Sequence, residues 1–464
     1  MPSRWRWAVL LSASIAFYAA LRRPLLVVAW TLVVLTSYWL GRRISDESNG
    51  IRRRAYLWAG VAAQVVILGS IKYLRVILRL IAPGFEIPIG GMDWFSTLGI
   101  SYYTLQAVSY LADVYLGTAK LERHFGRFAL YLGFFPKLLQ GPIERAGDLL
   151  PQLRSLRSFN YTNVRSGALL FCWGLFKKVA VANRLAPFVK AVYYDPHGYS
   201  GLSLIAATYM YALQILADFS GYTDMALGVA RMFNIQLTEN FNYPYFATSI
   251  VDFWRRWHIS FSRWILDYIF KPLQIEWRNA GKVGVVGALM VTFLFSGLWH
   301  EVALTFMAWG LLHGAYLASS VLLKPWREAV YRKIGIANHP CRRAFQGIVT
   351  FHLVAFAWIF FRARSFADGW YIATHLFVGA ATRISYATSV RGGVMGAILN
   401  GGSARDFAML GAAMTVWILG SIFRRTVPLQ EQPAWFRWSM YYALILALIY
   451  LNAYDDVGFV YFQF

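Results

Sequence analysis

The sequence predicts an all-helical, polytopic integral membrane protein. Of its 464 residues, 58% are hydrophobic and 17% aromatic, whereas only 14% carry a charge. A soluble domain carries about 25% charged residues. The mean hydropathy is +0.45. Apolar windows near the length that crosses about 30 Å of hydrocarbon recur along the whole chain, so we expect one membrane-embedded domain over residues 1–464.

These windows predict about ten to twelve transmembrane helices, with short re-entrant or amphipathic helices between them. They fall at residues 7–21, 24–40, 55–82, 98–117, 125–140, 166–192, 201–217, 283–297, 303–323, 345–361, 407–423 and 437–453. The first apolar run ends in Arg22, Arg23 and Pro24 and not at a small-residue cleavage site. We therefore expect two retained spans here and no cleaved leader.

The formal net charge of +23 limits the class of partner. The basic residues punctuate apolar spans and form no continuous face, which argues against nucleic acid. The loop 42–54 holds five arginines, and Lys177 with Lys178, the loop 324–343 and Arg424 with Arg425 are also basic. Such loops favour the cytoplasmic side and its anionic lipids. If the loop 42–54 is cytoplasmic, the turn at Arg22 and Arg23 lies on the opposite side of the membrane, and its positive charge argues against this arrangement.

Ionisable residues gather in the segment 211–272. Each costs about 2.5–3.5 kcal/mol at the centre of a membrane helix, so such residues usually face a bundle interior or a wet cavity. The segment therefore predicts a buried functional site. Its ionisable residues include Asp218, Asp224, Glu239, Asp252, Arg255, Arg256 and His258.

Two histidines that each follow a tryptophan are the candidate chemical centre. On a continuous helix, Trp254 and Arg255 would share a face with His258. Burial and nearby arginines would favour its neutral form, which can act as a general base. His300 ends an apolar run and is followed by Glu301. The alternatives are a buried histidine bonded to a carbonyl for His258 and an interfacial histidine for His300.

Other residues of the region have supporting interpretations. Arg255 and Arg256 could bind the phosphates or pyrophosphate of a substrate such as a coenzyme A thioester bidentately, or they could reach lipid headgroups. For Asp218 and Asp224 we favour a hydrogen-bond network with Arg255 or Arg231 over direct catalysis.

The remaining histidine and cysteine candidates form no metal-binding or cofactor-binding motif. His313 is a weaker catalytic candidate than the two histidines above. The sequence has no HExxH motif and no paired His/Cys spacing, so we expect no metal site and no permanently bound cofactor. Cys172 and Cys341 fit neither a disulfide framework nor a zinc site.

Six motifs occur in one order across about residues 20–320, with the core at about 98–320. They are LGISYYTLQAVSYLADVY at 98–115, FFPKLLQGPIER at 134–145, DFSGYTDM at 218–225, ENFNYPY at 239–245, FWRRWHIS at 253–260 and LWH at 298–300. In these motifs the chain resembles the membrane-bound O-acyltransferase superfamily. It is most similar to the bacterial branch of alginate O-acetylation and teichoic acid D-alanyl transfer.

The resemblance implies a helical bundle around a central funnel that crosses the membrane. It implies that His300 is catalytic and that His258 assists. The site-supporting residues would be Asp218, Ser220, Asp224, Asn240, Arg255, Arg256, Trp257 and Trp299. The sequence departs from the alginate type at Glu301, where a glycine is usual, and at QIEWRN in 274–279, where a Gly-Gly turn is expected.

The function that follows is an O-acyltransferase of the bacterial cytoplasmic membrane. Its donor would be a cytoplasmic thioester such as acetyl-CoA or an acyl carrier protein. The acceptor would be a hydroxyl of an envelope polysaccharide or of an extracytoplasmic partner protein. The alternatives are D-alanyl transfer from a carrier protein and, in another class, a transporter or flippase of lipid-linked anionic sugars.

Overall fold

The computed structural model describes residues 5–72, 81, 99–335, 339–378, 403–427, 429–453 and 458–459. The described chain is helical and contains no strand, which confirms the predicted fold class. The predicted window 55–82, the motif 98–115 and the loop 324–343 each extend partly outside the described residues.

The described residues form nineteen α-helices. They are α1 Arg6–Ala20, α2 Pro24–Asp46, α3 Gly50–Lys72, α4 Ile100–Leu116, α5 Phe125–Gly133, α6 Ala146–Arg154, α7 Tyr161–Phe176, α8 Asn183–Tyr194, α9 Gly201–Met232, α10 Ile250–Arg256, α11 Ile259–Ile265, α12 Lys271–Glu276, α13 Gly281–His300, α14 Leu304–Leu322, α15 Lys324–Lys333, α16 Pro340–Arg362, α17 Phe366–His375, α18 Ala404–Thr426 and α19 Ala434–Tyr450. π-Helical turns at Lys177–Ala182 and Leu266–Phe270 join α7 to α8 and α11 to α12.

Six helices of the described chain are long and apolar enough to cross a membrane, which makes this a multi-pass membrane protein. They are Pro24–Asp46, Gly50–Lys72, Gly201–Met232, Arg278–His300, Cys341–Arg362 and Ala404–Thr426. The pair α14 and α15, bent by 61°, makes a seventh if it is one span. This is fewer than the predicted ten to twelve because other apolar windows form helices under 18 residues, such as α1, α4 and α19.

The described residues group into two compact units. Unit 1 takes the chain up to Phe171 together with Thr223–Glu239, and unit 2 takes Cys172–Tyr222 and the residues from Asn240 onward. The prediction of one acyltransferase domain over 1–464 concerns function and stays a prediction.

Unit 1 has an apolar core with a buried polar group inside it. Tyr110, on α4, packs against Phe128 of α5 at a ring distance of 4.7 Å. The ammonium group of Lys137 is fully buried and donates to the Gln106 side chain. The buried Glu144 carboxylate accepts from the backbone N–H of Thr238 at 2.6 Å. The sequence reading singled out none of these polar residues.

Unit 2 is built on the close packing of α13 against α14. A Cβ on Gly297 would meet the carbonyl oxygen of Phe306, and a Cβ on Gly310 would meet that of Phe293. Only glycine lets two helix backbones approach this closely. The contact brings the C-terminal end of α13 onto α14, and this is where the candidate site lies.

Candidate active site

His300 is the last residue of α13 and is buried, with 6% of its surface exposed. Its imidazole is enclosed by aromatic rings, with centroid distances of 4.8 Å to Trp299, 5.3 Å to Trp309 and 5.1 Å to Phe361. The carbonyl end of a helix favours a positive charge. The imidazole of His300 lies at the carbonyl end of α13, among aromatic rings.

His258 lies at the break between α10 and α11. Helix α10 ends at Arg256, Trp257 is extended, and His258 takes a left-handed conformation with φ 43° and ψ 54°. This region is uncommon for residues other than glycine, and the backbone cost is about 1–2 kcal/mol. Such strain persists only where the surroundings impose it.

Asn240 imposes that conformation through two hydrogen bonds. Its backbone carbonyl accepts from the N–H of Ile259 at 3.0 Å, and its side-chain oxygen accepts from the N–H of Ser260 at 3.0 Å. Nearby, the N–H of Asn242 donates to the carbonyl of Arg256 at 2.9 Å. The segment beginning at Asn240 thus holds the backbone on both sides of His258.

The two histidines belong to one aromatic cluster. Phe261 and Trp299 stack with centroids 4.4 Å apart. The ring of Phe261 lies 5.1 Å from that of His258 and 6.0 Å from that of His300. Trp299 contacts both imidazoles as well, at 6.4 and 4.8 Å. Two residues far apart in sequence therefore share one buried environment, as the motif reading expected.

Burial sets the protonation state of His258. Its imidazole is almost completely enclosed, and loss of hydration lowers its pKa from 6.5 to about 3. Desolvation disfavours the imidazolium, so His258 is neutral at physiological pH. The sequence reading gave the same neutral form.

This lowered pKa predicts acid destabilisation. As pH falls below 6.5, the unfolded chain protonates His258 and the folded chain does not, so stability falls by about 1.4 kcal/mol per pH unit until pH approaches 3. His258→Asn keeps a neutral side chain that tolerates the left-handed backbone. We expect thermal unfolding in detergent to depend less steeply on pH between 6.5 and 5 in this variant; equal slopes would contradict a neutral, buried His258.

The Asn240 clamp predicts a separable effect on folding and activity. Asn240→Ala leaves the N–H of Ser260 buried without its acceptor, which costs about 1–3 kcal/mol. We expect Asn240→Ala to lower the unfolding temperature and to reduce activity more than Asn242→Ala does, because His258 loses its fixed conformation. Asn242→Ala is the control, since the Asn242 side chain is exposed and its contact uses the backbone. Equal losses in both variants would contradict the clamp.

Asp218 and Ser220 are buried on α9, each paired with a lysine. The ammonium of Lys178 lies 2.7 Å from a carboxylate oxygen of Asp218. That of Lys177 donates to the hydroxyl of Ser220 at 2.8 Å. Phe219, between them in sequence, meets the His258 ring edge-on at 4.8 Å. The network predicted for Asp218 thus exists, with Lys178 in place of Arg255 or Arg231.

The prediction that Arg255 shares a helical face with His258 is wrong, because α10 ends before His258. Arg255 is exposed, and Arg256 pairs with Asp252 at 2.8 Å. Trp257 is buried, 5.0 Å from the ring of Trp358. Donor binding by the two arginines stays a prediction.

Asp224 lies further along α9, half-buried and within unit 1. Glu239, also in unit 1, is exposed. A supporting role for Asp224 stays a prediction.

Several residues of the cluster were missed by the sequence reading. Lys177 and Lys178 were read as basic residues of the cytoplasmic side, but both are buried and paired. The signal that could have revealed them is the acid and hydroxyl on α9, which need buried partners. His313, a weaker candidate, is fully buried and 5.1 Å from the ring of Trp309. Within the described ranges, no group of three or more His, Cys, Asp or Glu could hold a metal ion.

Comparison with known proteins shows the family of the chain. The sequence profile of the MBOAT, membrane-bound O-acyltransferase family, matches residues 123–361, which include both histidines. A probable alginate O-acetylase of Azotobacter vinelandii is 33% identical over 81% of this chain and 73% of its own length. A peptidoglycan O-acetyltransferase of Helicobacter pylori is 32% identical over 77% of this chain and 71% of its own length. A teichoic acid D-alanyltransferase of Bacillus subtilis is 26% identical over 58% of this chain and 70% of its own length.

The profile spans half of the chain, and the alginate relative is similar over most of both sequences. These matches include the aromatic cluster with its two buried histidines. The chain belongs to the membrane-bound O-acyltransferase family.

Proposed function

We propose that the protein moves an acetyl group from a cytoplasmic thioester, such as acetyl-CoA, to a hydroxyl of a cell-envelope polysaccharide or of an extracytoplasmic partner protein. The observation that carries the proposal is the burial of His258 and His300 in one aromatic cluster. The names of the alginate and peptidoglycan relatives support an acetyl donor and an envelope glycan acceptor. The bacterial cytoplasmic membrane is the location consistent with both. Membrane lipids are its surroundings, and the chain holds no cofactor permanently.

In this mechanism His300 is the general base. Its neutral imidazole takes the proton of the acceptor hydroxyl as that oxygen attacks the thioester carbonyl carbon. The helix terminus stabilises the imidazolium, which then returns the proton to the leaving thiolate. His258, neutral and fixed by Asn240, assists as a hydrogen-bonding group. The products are an ester and a free thiol.

The other residues of the predicted site have supporting roles in this mechanism. Trp299 packs against both imidazoles and keeps water away from them, and Trp257 packs against Trp358, which stacks on Trp309 beside His300. Asp218 and Ser220 hold the part of α9 that carries Phe219 against His258. Arg255 and Arg256 are the candidate contacts for donor phosphates, and Asp224 is a support on α9 outside this cluster.

Transfer of D-alanine from an acylated carrier protein is the second candidate. The similarity to the Bacillus subtilis teichoic acid D-alanyltransferase favours it. The basic loop 42–54 could bind an acidic carrier. The third alternative, a transporter or flippase, is not supported, because the chain belongs to an acyltransferase family.

A donor panel tests the proposal. Purified protein in nanodiscs is mixed with acetyl-CoA, longer acyl-CoA thioesters or a D-alanyl carrier protein, together with envelope polysaccharide fragments, and free thiol is measured. We expect acetyl-CoA to be cleaved fastest. Cleavage of the D-alanyl carrier alone would replace the acetyl donor with the second candidate. No cleavage of any thioester in membranes that retain their native partner proteins would overturn the proposed function.

A further inference from the structure

The face of α14 that meets His300 carries a second histidine. The ring of Trp309 lies 5.3 Å from that of His300 and 5.1 Å from that of His313. His313 is fully buried and one helical turn beyond Trp309. Trp309 therefore connects the proposed base to a buried imidazole that the mechanism above does not use.

A neighbouring tryptophan fixes the tautomer of His313. The indole N–H of Trp254 donates to Nδ1 of His313 at 3.3 Å. An indole nitrogen only donates, so Nδ1 is the acceptor and the neutral ring carries its proton on Nε2. Over the ranges that the structure describes, nothing accepts a hydrogen bond from this Nε2–H.

Two more buried donors lie on α13 and α14, which pack together here. The indole N–H of Trp309 and the hydroxyl of Ser296 have no partner among the described residues, and both side chains are almost fully enclosed. Ser296 precedes His300 by one turn of α13, so the two share a helical face. That face is packed against α14 through Gly297.

Buried polar groups in native proteins are nearly always hydrogen-bonded, so three exceptions on the two packed helices α13 and α14 need an explanation. Two of these groups, an indole N–H and an imidazole N–H, can only donate. A ligand that suits them is an oxygen acceptor without a proton, such as a carbonyl or an oxyanion. A buried water molecule is the competing occupant.

We propose that His313, Trp309 and Ser296 form an oxyanion site beside His300. It takes the carbonyl oxygen of the acyl thioester. This inference rests on the proposed function, since it assigns a second part of the same site.

The step balances as follows. The acceptor oxygen forms a bond to the acyl carbon while its proton passes to His300, and the carbonyl π electrons move onto the oxygen. The three donors stabilise the resulting alkoxide. When the carbonyl re-forms, the carbon–sulfur bond breaks and the thiolate takes the proton from His300. Donors aimed at developing charge contribute on the order of 10²–10³ in rate each.

Rate measurements on Ser296→Ala and His313→Phe test the site. Ser296→Ala removes one hydroxyl, and His313→Phe keeps a ring without a donor. We expect each to lower kcat for acetyl transfer by roughly 10²-fold with little change in KM. Thr292→Val is the matched control, because that buried hydroxyl already donates to Ala288 at 2.6 Å, one turn earlier on α13. Unchanged kcat in Ser296→Ala and His313→Phe would overturn the oxyanion site in favour of bound water.

A binding measurement separates this inference from the proposed function. Trifluoroacetonyl-CoA mimics the tetrahedral intermediate, and propyl-CoA lacks the oxygen. We expect wild type to prefer the former, since intermediate-like ligands bind about 10²-fold tighter or more, and the two variants to lose at least about tenfold of that preference. An equal preference in all proteins would overturn the site. Wild type that binds neither compound and cleaves no thioester would overturn the proposed function and the oxyanion site with it.

Discussion

We expect His300→Ala to lower acyl transfer by about 10²–10⁴-fold, the contribution of a positioned general base. The loss should appear in kcat, because the imidazole acts on the acceptor proton and does not hold the donor. The buried ring also fills space among Trp309 and Phe361. His300→Gln, which keeps more of that volume and cannot act as a base at neutral pH, should therefore lose activity similarly while it unfolds closer to wild type.

The control for this prediction is His352→Ala. His352 lies on α16 and is exposed, so its loss should leave turnover and the unfolding temperature near wild type. Turnover in His300→Gln near that of His352→Ala would contradict base catalysis at His300. A loss in KM alone would instead make His300 a donor-binding residue.

The buried ion pair between Lys178 and Asp218 predicts the largest effect on stability. Removing one member leaves a buried charge, which is expected to cost about 3–5 kcal/mol. Asp218→Leu strands the ammonium of Lys178, although the carbonyl of Gly458 at 3.1 Å and the ring of Phe459 at 4.3 Å remain beside it. We expect a large fall in the unfolding temperature, and recovery in the double variant Asp218→Leu with Lys178→Met, which buries no charge.

An exposed ion pair of the same length is the matched control. Lys271 and Asp267 are also 2.7 Å apart, but about half of each side chain is exposed. Such pairs contribute about 0–1 kcal/mol, so Asp267→Leu should change the unfolding temperature little. If Asp218→Leu behaved like Asp267→Leu, the Lys178 pair would have no structural role.

Charge within apolar sequence pointed to some of the buried residues of the candidate site but not to all, since Arg255 and Glu239 are exposed. His258, His300, Asp218 and Ser220 are all buried, as expected for polar groups that do not face lipid. The all-helical fold followed from composition and apolar windows. Helix lengths were harder to predict. The apolar window 437–453, for example, falls largely in α19, whose 17 residues are few for a membrane span.

The break at His258 could not be predicted from local sequence. No glycine or proline marks it, and the bonds that stabilise it come from Asn240, which is distant in sequence. The sequence argument assumed that one helix runs through Arg255 and His258. In the structure the helix ends at Arg256, and hydrogen bonds from the segment beginning at Asn240 hold the chain in its new direction. Likewise, a Lys-Lys pair in an apolar run resembles a membrane boundary until its partners Asp218 and Ser220 are known.

Acetyl labelling in oriented membrane vesicles tests the central claim most directly. Cells that express the protein yield inverted vesicles, which expose the cytoplasmic side, and right-side-out vesicles, which do not; both retain partner proteins. We predict that radiolabelled acetyl-CoA added outside labels envelope polysaccharide or a partner protein only in inverted vesicles, and not with His300→Ala. Equal labelling in both orientations, or labelling that persists in His300→Ala, would contradict transfer across the membrane by His300.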